Sequence, residues 1–320
     1  MKRLGILFFA AIFFLSPTLG KEASTSALSE RVLDPFSGVA EAPHTLKDNA
    51  GTKPQRIVSL SLGTDEILLS LVDPKRIVAI TTFASDPGIS NVPGLAEAVE
   101  IQFSQIGVEA IVALKPDLVL AAPYSAPEAM KQLKALGLPV VTMGDFSTIE
   151  AIQKNIRLVG VGVGETEAAA ALISAMDARL HRVAERLSGI TRRPGLLSFG
   201  AERWTSGKDT IFDEMVTLAG GRNLAAEAGI TGHPKLSLEA VVALDPEVLI
   251  LNAWHPKDGE PNPALLSHPA LQSLSAIKTH RVYAIPGKYL TTVSHFIVEG
   301  VEEMARRIHP TLFAASPSTP

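Results

Sequence analysis

The chain has 320 residues, of which 46% are hydrophobic and 19% charged, a composition typical of a globular protein large enough for two lobes. Its 29 Lys and Arg against 33 Asp and Glu give a net charge of −4, which argues against the basic surface of a nucleic-acid-binding protein. Cysteine is absent, which excludes disulfides, thiolate metal ligands and a cysteine nucleophile.

The N-terminus predicts a secretion signal. Met1, Lys2 and Arg3 precede an apolar run that ends at Leu15, and small residues up to Gly20 suit signal-peptidase cleavage. We expect residues 1–20 to be removed, the alternative being an uncleaved anchor, and residues 21–53 to form a flexible lead-in. Without a cysteine to carry a lipid, the secreted protein is expected in a Gram-negative periplasm.

An internal repeat is the most informative pattern. Residues 108–120 read VEAIVALKPDLVL and align without a gap against residues 238–250, LEAVVALDPEVLI. Each copy predicts an amphipathic helix, a proline-containing turn and a buried strand. Residues 56–63 resemble 195–200, and residues 76–80 resemble 281–285, as further apolar strands.

These elements predict an α/β fold class, with two α/β lobes of mostly parallel sheets joined by a single long helix. The expected boundaries are an N-terminal lobe at 54–147, a connecting helix at 148–190, a C-terminal lobe at 191–310 and a tail at 311–320. A glycine-rich stretch at 160–164 could break the connecting helix.

The repeat, together with residues 236–251, 204–208 (WTSGK) and 220–223 (GGRN), resembles the periplasmic solute-binding proteins for cobalamin, haem and ferric siderophores. These are the substrate-binding subunits of ABC importers. The resemblance covers residues 53–310 and implies a ligand between the lobes, a partner permease with its ATPase, and a monomer. The chelate is cargo, so no resident cofactor and no metal site are expected.

The resemblance implies ligand contacts from the loops that follow the strands. The candidates are Ser61, Leu62, Gly63, Thr64, Phe83, Phe103, Tyr124, Arg203, Trp204, His233, Trp254 and Tyr289. Rigid aromatic rings suit the broad apolar face of a macrocycle or catechol-type chelate, although each could be a packing residue. Arg203 could pair with an anionic siderophore, and His233 could be an axial metal ligand or a simple polar contact.

The family docks on its permease through one exposed glutamate on each lobe, and the repeat places Glu109 and Glu239 at matching points. Two repeat-related carboxylates would suit a two-fold permease. The alternative is that both are ordinary glutamates favoured at a helix N-terminus.

Competing functions remain open. The chain lacks the Gly-x-Ser-x-Gly, Gly-x-Gly-x-x-Gly and His-Glu-x-x-His motifs, so we expect no enzyme. A bare zinc or manganese ion would need converging ligands, for which only His233, His255 and His295 are candidates. Among chelates, the aromatic loops favour cobalamin and family frequency favours siderophores. Haem is less favoured. The haem-binding branch of the family commonly uses a tyrosine ligand, and the nearest N-lobe candidate, Tyr124, stands in a Pro-flanked loop and could serve packing alone.

Overall fold

The chain folds into two parallel sheets, one from each half of the sequence. The computed structural model describes residues 53–200, 203–253 and 268–314. The N-terminal sheet has the strand order β3-β2-β1-β4-β5, and the C-terminal sheet has the order β7-β6-β8-β9. The prediction of two parallel α/β lobes is therefore confirmed, and the apolar runs that suggested it are strands buried on both faces.

Strands and helices alternate along the chain. The strands are β1 (Ile57–Ser59), β2 (Ile77–Thr81), β3 (Ile101–Phe103), β4 (Leu118–Ala121), β5 (Val140–Thr142), β6 (Gly195–Ser198), β7 (Arg222–Asn223), β8 (Val248–Ala253) and β9 (Val282–Pro286). The helices are α1 (Leu62–Leu71), α2 (Pro93–Ala96), α3 (Val108–Ala113), α4 (Pro127–Ala135), α5 (Ile149–Val163), α6 (Thr166–Leu187), α7 (Ile211–Leu218), α8 (Leu224–Glu227), α9 (Leu238–Leu244), α10 (Ser275–Lys278), α11 (Gly287–Leu290), α12 (Ile297–Ile308) and α13 (Pro310–Phe313).

The sequence repeat is reproduced in the backbone. Helices α3 and α9 each end at a left-handed residue in the same repeat position, Lys115 with φ 48° and Asp245 with φ 38°. The acidic residue two positions later also accepts hydrogen bonds from the backbone in each half. Asp117 accepts backbone N–H groups just before β1 at 2.7 and 2.9 Å, and Glu247 accepts the first N–H of β6 at 3.1 Å. The gapless sequence repeat thus corresponds to the same helix–turn–strand unit in both halves of the chain.

The weaker repeats are also strands in the structure. Strands β1 and β6 both lie beside the repeat strand of their own sheet. The apolar runs in 76–80 and 281–285 form β2 and β9, as predicted. Their places in the sheets differ, since β2 adjoins β1 whereas β9 adjoins the repeat strand β8 and so corresponds to β5.

The connecting segment is shorter than predicted. Residues 148–190 form two helices, because α5 ends at Gly164, whose φ of 72° leaves the right-handed helical region. Helix α5 packs on α1, β4 and β5 and belongs to the N-terminal lobe. The single long helix that joins the lobes is α6, with 22 residues and a length of about 33 Å. Arg179 fixes α6 to the C-terminal lobe through ion pairs with Glu299 and Glu302 at 2.9 and 2.7 Å.

Three apolar clusters hold these layers together. One cluster runs from the N-terminal sheet through α5, α6 and α12 into the C-terminal sheet. Two smaller clusters cover the opposite faces, one under α3 and α4 and the other under α9 and α10. Each sheet is thereby covered on both faces, and one continuous core links the lobes.

Several sequence-based boundaries lie at or beyond the edge of the described residues. The expected signal peptide and nearly all of the flexible lead-in precede residue 53, and residues 315–320 of the expected tail lie outside as well. Residues 310–313 are helical, and Arg186 of α6 lies 5.1 Å from the ring centre of Phe313. None of the described helices is both long enough and apolar enough to cross a bilayer.

Candidate functional site

The candidate site lies where the carboxyl ends of strands from the two sheets approach each other. Gly63 follows β1, and Val293 follows β9. A Cβ atom placed on Gly63 would lie 2.4 Å from Cγ2 of Val293, so the two lobes touch at this point. Ligands of open parallel sheets bind beyond the carboxyl ends of the strands. We therefore expect the loops that follow the strands to form two facing walls of an inter-lobe cleft, with this contact at its floor.

The turn after β1 is built from its own hydroxyl groups. Ser61 caps α1, accepting the N–H of Thr64 at 3.3 Å. The Thr64 hydroxyl donates to the carbonyl oxygen of Ser61 at 2.9 Å and accepts a hydrogen bond from Ser59 at 2.7 Å. Ser61 is 4% exposed and Thr64 fully buried, so this turn shapes the cleft floor. Ligand contact by residues 61–64 stays a prediction.

Tyr124 follows β4 and forms an aromatic corner with Phe146, which follows β5. Their ring centres lie 6.0 Å apart at 79°, an edge-to-face arrangement. Tyr124 is 42% exposed, while burial of its hydroxyl end raises its pKa to about 12. Our sequence reasoning missed Phe146. Its position in a loop directly after a buried strand, like that of the other candidates, was the available signal.

Phe83 and Phe103 lie on the same side of the N-terminal sheet. Phe83 sits in a short 3-10 turn after β2, and Phe103 is the last residue of β3. Both residues are half-buried. Because β3 is the edge strand, these two rings are expected at the margin of the cleft rather than at its floor.

On the C-terminal side, residues 203–208 and 230–236 run side by side after β6. We call them the C-lobe clip. Backbone N–H groups of the first segment donate to Pro234 at 3.0 Å and to Gly232 at 2.8 Å. Trp204 is half-buried in the clip, with the Lys235 ammonium 5.1 Å from its ring centre, a cation–π contact.

The other described C-lobe candidates differ in their surroundings and in their exposure to solvent. His233 Nδ1 lies 2.9 Å from the Ser206 hydroxyl, and loss of solvation lowers the pKa of His233. Arg203 is exposed and has φ 70°. Burial raises the pKa of Tyr289, and the nearby carboxylates of Glu299 and Glu303 raise it further. Those carboxylates belong to α12, so Tyr289 lies beside that helix, and its contact with a ligand stays a prediction. Trp254 and His255 lie outside the described residues.

Two adjacent carboxyl groups are buried beneath the cleft floor. Asp65 and Glu66 of α1 are both fully buried. Burial raises the pKa of Asp65 to about 8, although the Thr81 hydroxyl donates to it at 2.5 Å. Burial likewise raises the pKa of Glu66, against the opposing effect of hydrogen bonds from Ser294, Thr292 and Asn91. The sequence gave no sign that these two carboxyl groups are buried, because both residues stand near the start of a helix, where acidic residues are ordinary.

The two predicted docking glutamates occupy equivalent places. Glu109 lies in the first turn of α3 and Glu239 in the first turn of α9, and both are exposed. The pKa of Glu239 is lowered by its own backbone N–H and by the Ser237 hydroxyl. A shallow hollow of about 600 Å³ lies beside Glu109, where Val112 and Leu136 are 39% and 62% exposed. Apolar surface of this kind is typical of protein contacts.

The described residues contain no group of three His, Asp or Glu side chains that could hold a metal ion. His295 stacks on Phe296, with ring centres 4.0 Å apart, and burial lowers its pKa to about 4.

Comparison with known proteins gives one family. The profile of the family described as periplasmic binding protein matches residues 57–289.

Two relatives cover most of the chain. The uncharacterised ABC transporter substrate-binding lipoprotein YvrC of Bacillus subtilis is 29% identical over 82% of this chain and 82% of its own length. The cobalamin-binding protein of Halobacterium salinarum is 26% identical over 81% of this chain and 71% of its own. Among solved structures, the periplasmic haem-binding protein RhuT of Roseiflexus in its apo form is 26% identical. It matches with a TM-score of 0.70 over 81% of this chain and 99% of that one.

Proposed function

Because the chain belongs to the periplasmic binding protein family, we propose that it captures a metal chelate between its lobes for an ABC importer. The chelate is a corrinoid such as cobalamin or a ferric siderophore. The observation that carries the proposal is that the family match, at 57–289, includes all nine strands of the two sheets and so most of the loops that follow them. The naming of a similar protein as an ABC substrate-binding lipoprotein supports the transport role.

A corrinoid is the first choice of cargo. The similar Halobacterium protein binds cobalamin by name, as does the vitamin B12-binding protein of Yersinia pestis, 28% identical over 62% of this chain. On the two sides of the cleft, Trp204 and the Tyr124–Phe146 corner supply ring surface for a broad, flat cargo.

Haem is the second candidate, favoured by the likeness to the Roseiflexus haem-binding protein. Tyrosine ligation would need a phenolate, and the raised pKa of Tyr124 favours the neutral phenol in the empty cleft. A bare metal ion is less favoured, since the described residues gather no set of ligands for it.

The proposed mechanism is a binding cycle without bond chemistry. The secreted protein, freed of its signal peptide and without a lipid anchor, acts as a monomer in the periplasm. It closes slightly on the chelate and presents both lobes to a permease, whose ATPase then drives release. Two exposed, repeat-related carboxylates, Glu109 and Glu239, are suited to a two-fold partner with basic residues.

The test of cargo is a titration of the purified protein with cobalamin, cobinamide, haem and ferric siderophores, followed by tryptophan fluorescence and visible absorption. We expect saturable quenching by a corrinoid or a siderophore. Quenching by haem alone would select the second candidate. No response to any of them would contradict the chelate proposal.

The test of docking is the double variant Glu109→Ala with Glu239→Ala in an importer reconstituted with its permease and ATPase. We expect chelate affinity to be kept and uptake to be lost. The matched control removes Glu128 and Glu150, two equally exposed glutamates in the first turns of α4 and α5. Normal uptake by the docking variant would show that these glutamates do not dock.

A further inference from the structure

The lobes are joined below the cleft by one buried carboxylate. Glu66 belongs to α1 of the N-terminal lobe, while Thr292 and Ser294 follow α11 in the C-terminal lobe. Oε2 of Glu66 accepts the hydroxyl of Thr292 at 2.6 Å and that of Ser294 at 2.5 Å. Oε1 accepts the backbone N–H and the side-chain amide of Asn91, each at 2.9 Å. The same amide also donates to the carbonyl oxygen of Lys288 at 2.9 Å, a third hydrogen bond between the lobes at this junction.

This junction excludes solvent. Glu66 and Ser294 are fully buried, and Thr292 is 5% exposed. Val293 lies between Thr292 and Ser294 in the chain, and its side chain contacts Gly63. A Cβ atom on Gly63 could not fit there without a shift. Gly63 lies in the turn that forms the cleft floor. The hydrogen bonds of Glu66 and the floor of the cleft are therefore parts of one contact.

The arrangement differs from an ordinary buried carboxylate that stabilises a single lobe. Its neighbour Asp65 supplies the comparison, because the hydroxyl that donates to Asp65 comes from Thr81 in the same lobe. Two carboxyl groups that are adjacent in sequence and equally buried thus face in different directions. Asp65 ties α1 to its own sheet, and Glu66 ties α1 to the other lobe.

We propose that Glu66 is a positioning residue, which holds residues 288–294 against the N-terminal lobe and so sets the width of the cleft. Helix α6 joins the lobes at one place, the hydrogen bond from the Ile149 N–H to Glu214 at 2.7 Å at a second, and the Glu66 junction at a third. Links at separate places restrict rotation in a way that one helix does not. The inference rests on the proposed function only in taking the cleft as the binding site.

The test measures the distance between lobes in the cargo-free protein. Because the chain has no cysteine, Lys131→Cys and Glu227→Cys accept one spin label on each lobe without other changes. Both positions are exposed, at 73% and 49% of the side chain. The test variant is Thr292→Val with Ser294→Ala, which removes both inter-lobe hydroxyl donors. The control is Thr81→Val, which removes the donor to Asp65 inside one lobe.

We expect the control to keep the narrow distance distribution of the parent protein and the test variant to give a broader one, shifted to longer distances. A folded test variant with the parent distribution would overturn the proposal. Should the double change prevent folding, the single change Ser294→Ala decides in the same way. The measurement needs no cargo, so it is independent of the chelate titration. For a chelate that binds, we also expect severalfold faster dissociation from the test variant than from the control.

Discussion

At the scale of single residues, the candidate site combines aromatic rings, of which Tyr124 is exposed and Trp204 half-buried, with buried acids. Position and residue type predict Tyr124 and Trp204 as ligand contacts, and both stay predictions. The buried pair Asp65 and Glu66 was not predictable, because a helix of this composition gives no sign that polar side chains point inward. Only the contacts made with distant residues such as Thr81 and Ser294 reveal their roles.

Replacing Trp204 tests the C-lobe wall. If its ring stacks on cargo, Trp204→Ala should weaken chelate binding by about 1–3 kcal/mol, because an aromatic contact at the centre of an interface is lost. Trp204→Phe should recover part of the affinity by keeping a ring. Isothermal titration measures both. Unchanged affinity in the alanine variant would make Trp204 a packing residue of the clip.

The buried carboxyl of Asp65 should make stability depend on pH. Its folded pKa of about 8 exceeds the value of 3.8 for an exposed carboxyl. Between these values the unfolded chain is ionised while the folded chain keeps its proton, so folding takes up a proton. The contribution of Asp65 to the free energy of unfolding should therefore be fully present below about pH 4 and fall as the pH rises towards about 8, by up to about 1.4 kcal/mol per unit.

The variant Asp65→Asn tests this effect, since an amide at this position takes up no proton in this pH range. We expect the parent to lose stability relative to the variant as the pH rises, in urea unfolding followed by circular dichroism. Equal pH profiles for the two proteins would contradict the assignment.

At the scale of elements, α3 and β4 form the same helix–turn–strand unit as α9 and β8. The sequence predicted this unit because the same proline-containing turn occurs in both halves. The connecting helix was overestimated for a local reason. Apolar spacing continues across Gly164, but the left-handed conformation there separates α5 from α6. Periodicity alone does not distinguish one long helix from two helices that fold back on each other, as the hydrogen bond from Gln153 of α5 to Asp177 of α6 shows, although the glycine-rich stretch marked the place.

The C-lobe clip depends on a glycine. A Cβ on Gly207 would lie 2.1 Å from the carbonyl oxygen of Ile230, a backbone atom that cannot move without opening the clip. Gly207→Ala should therefore lower stability by roughly 1–3 kcal/mol, as overpacking does, and weaken chelate binding through Trp204. Gly189→Ala is the matched control, because nothing lies within 4 Å of its Cβ. Thermal unfolding compares the two, and equal midpoints would argue against a rigid clip.

At the scale of the whole molecule, the two lobes share one continuous core, helix α6, the Glu66 junction and the hydrogen bond from the Ile149 N–H to Glu214. The sequence predicted the lobes, their parallel sheets and a helical link. It did not predict the Glu66 junction, because Glu66 and Ser294 lie far apart in the chain and neither belongs to a motif. The strand order was likewise not predictable, since β2 and β9 have similar sequences but β2 is internal and β9 lies at a sheet edge.

Links at several places should keep domain movement small. We expect small-angle scattering to give nearly the same radius of gyration for the cargo-free and cargo-saturated protein, since α6 and the Glu66 junction together oppose wide opening. A protein whose lobes close through a large angle would become measurably more compact. Such compaction would show that the junction breaks during the binding cycle.

The chemistry of the junction has a further consequence. Its bonds run from hydroxyl and amide groups to a buried carboxyl, whereas the exposed ion pair between Lys53 and Glu165 is open to solvent. Mobile ions screen exposed charges over about 10 Å at moderate ionic strength, but they do not enter a solvent-free contact. The distance between the lobes should thus not change with salt concentration, whereas the electrostatic attraction between the outer surface and a partner should change.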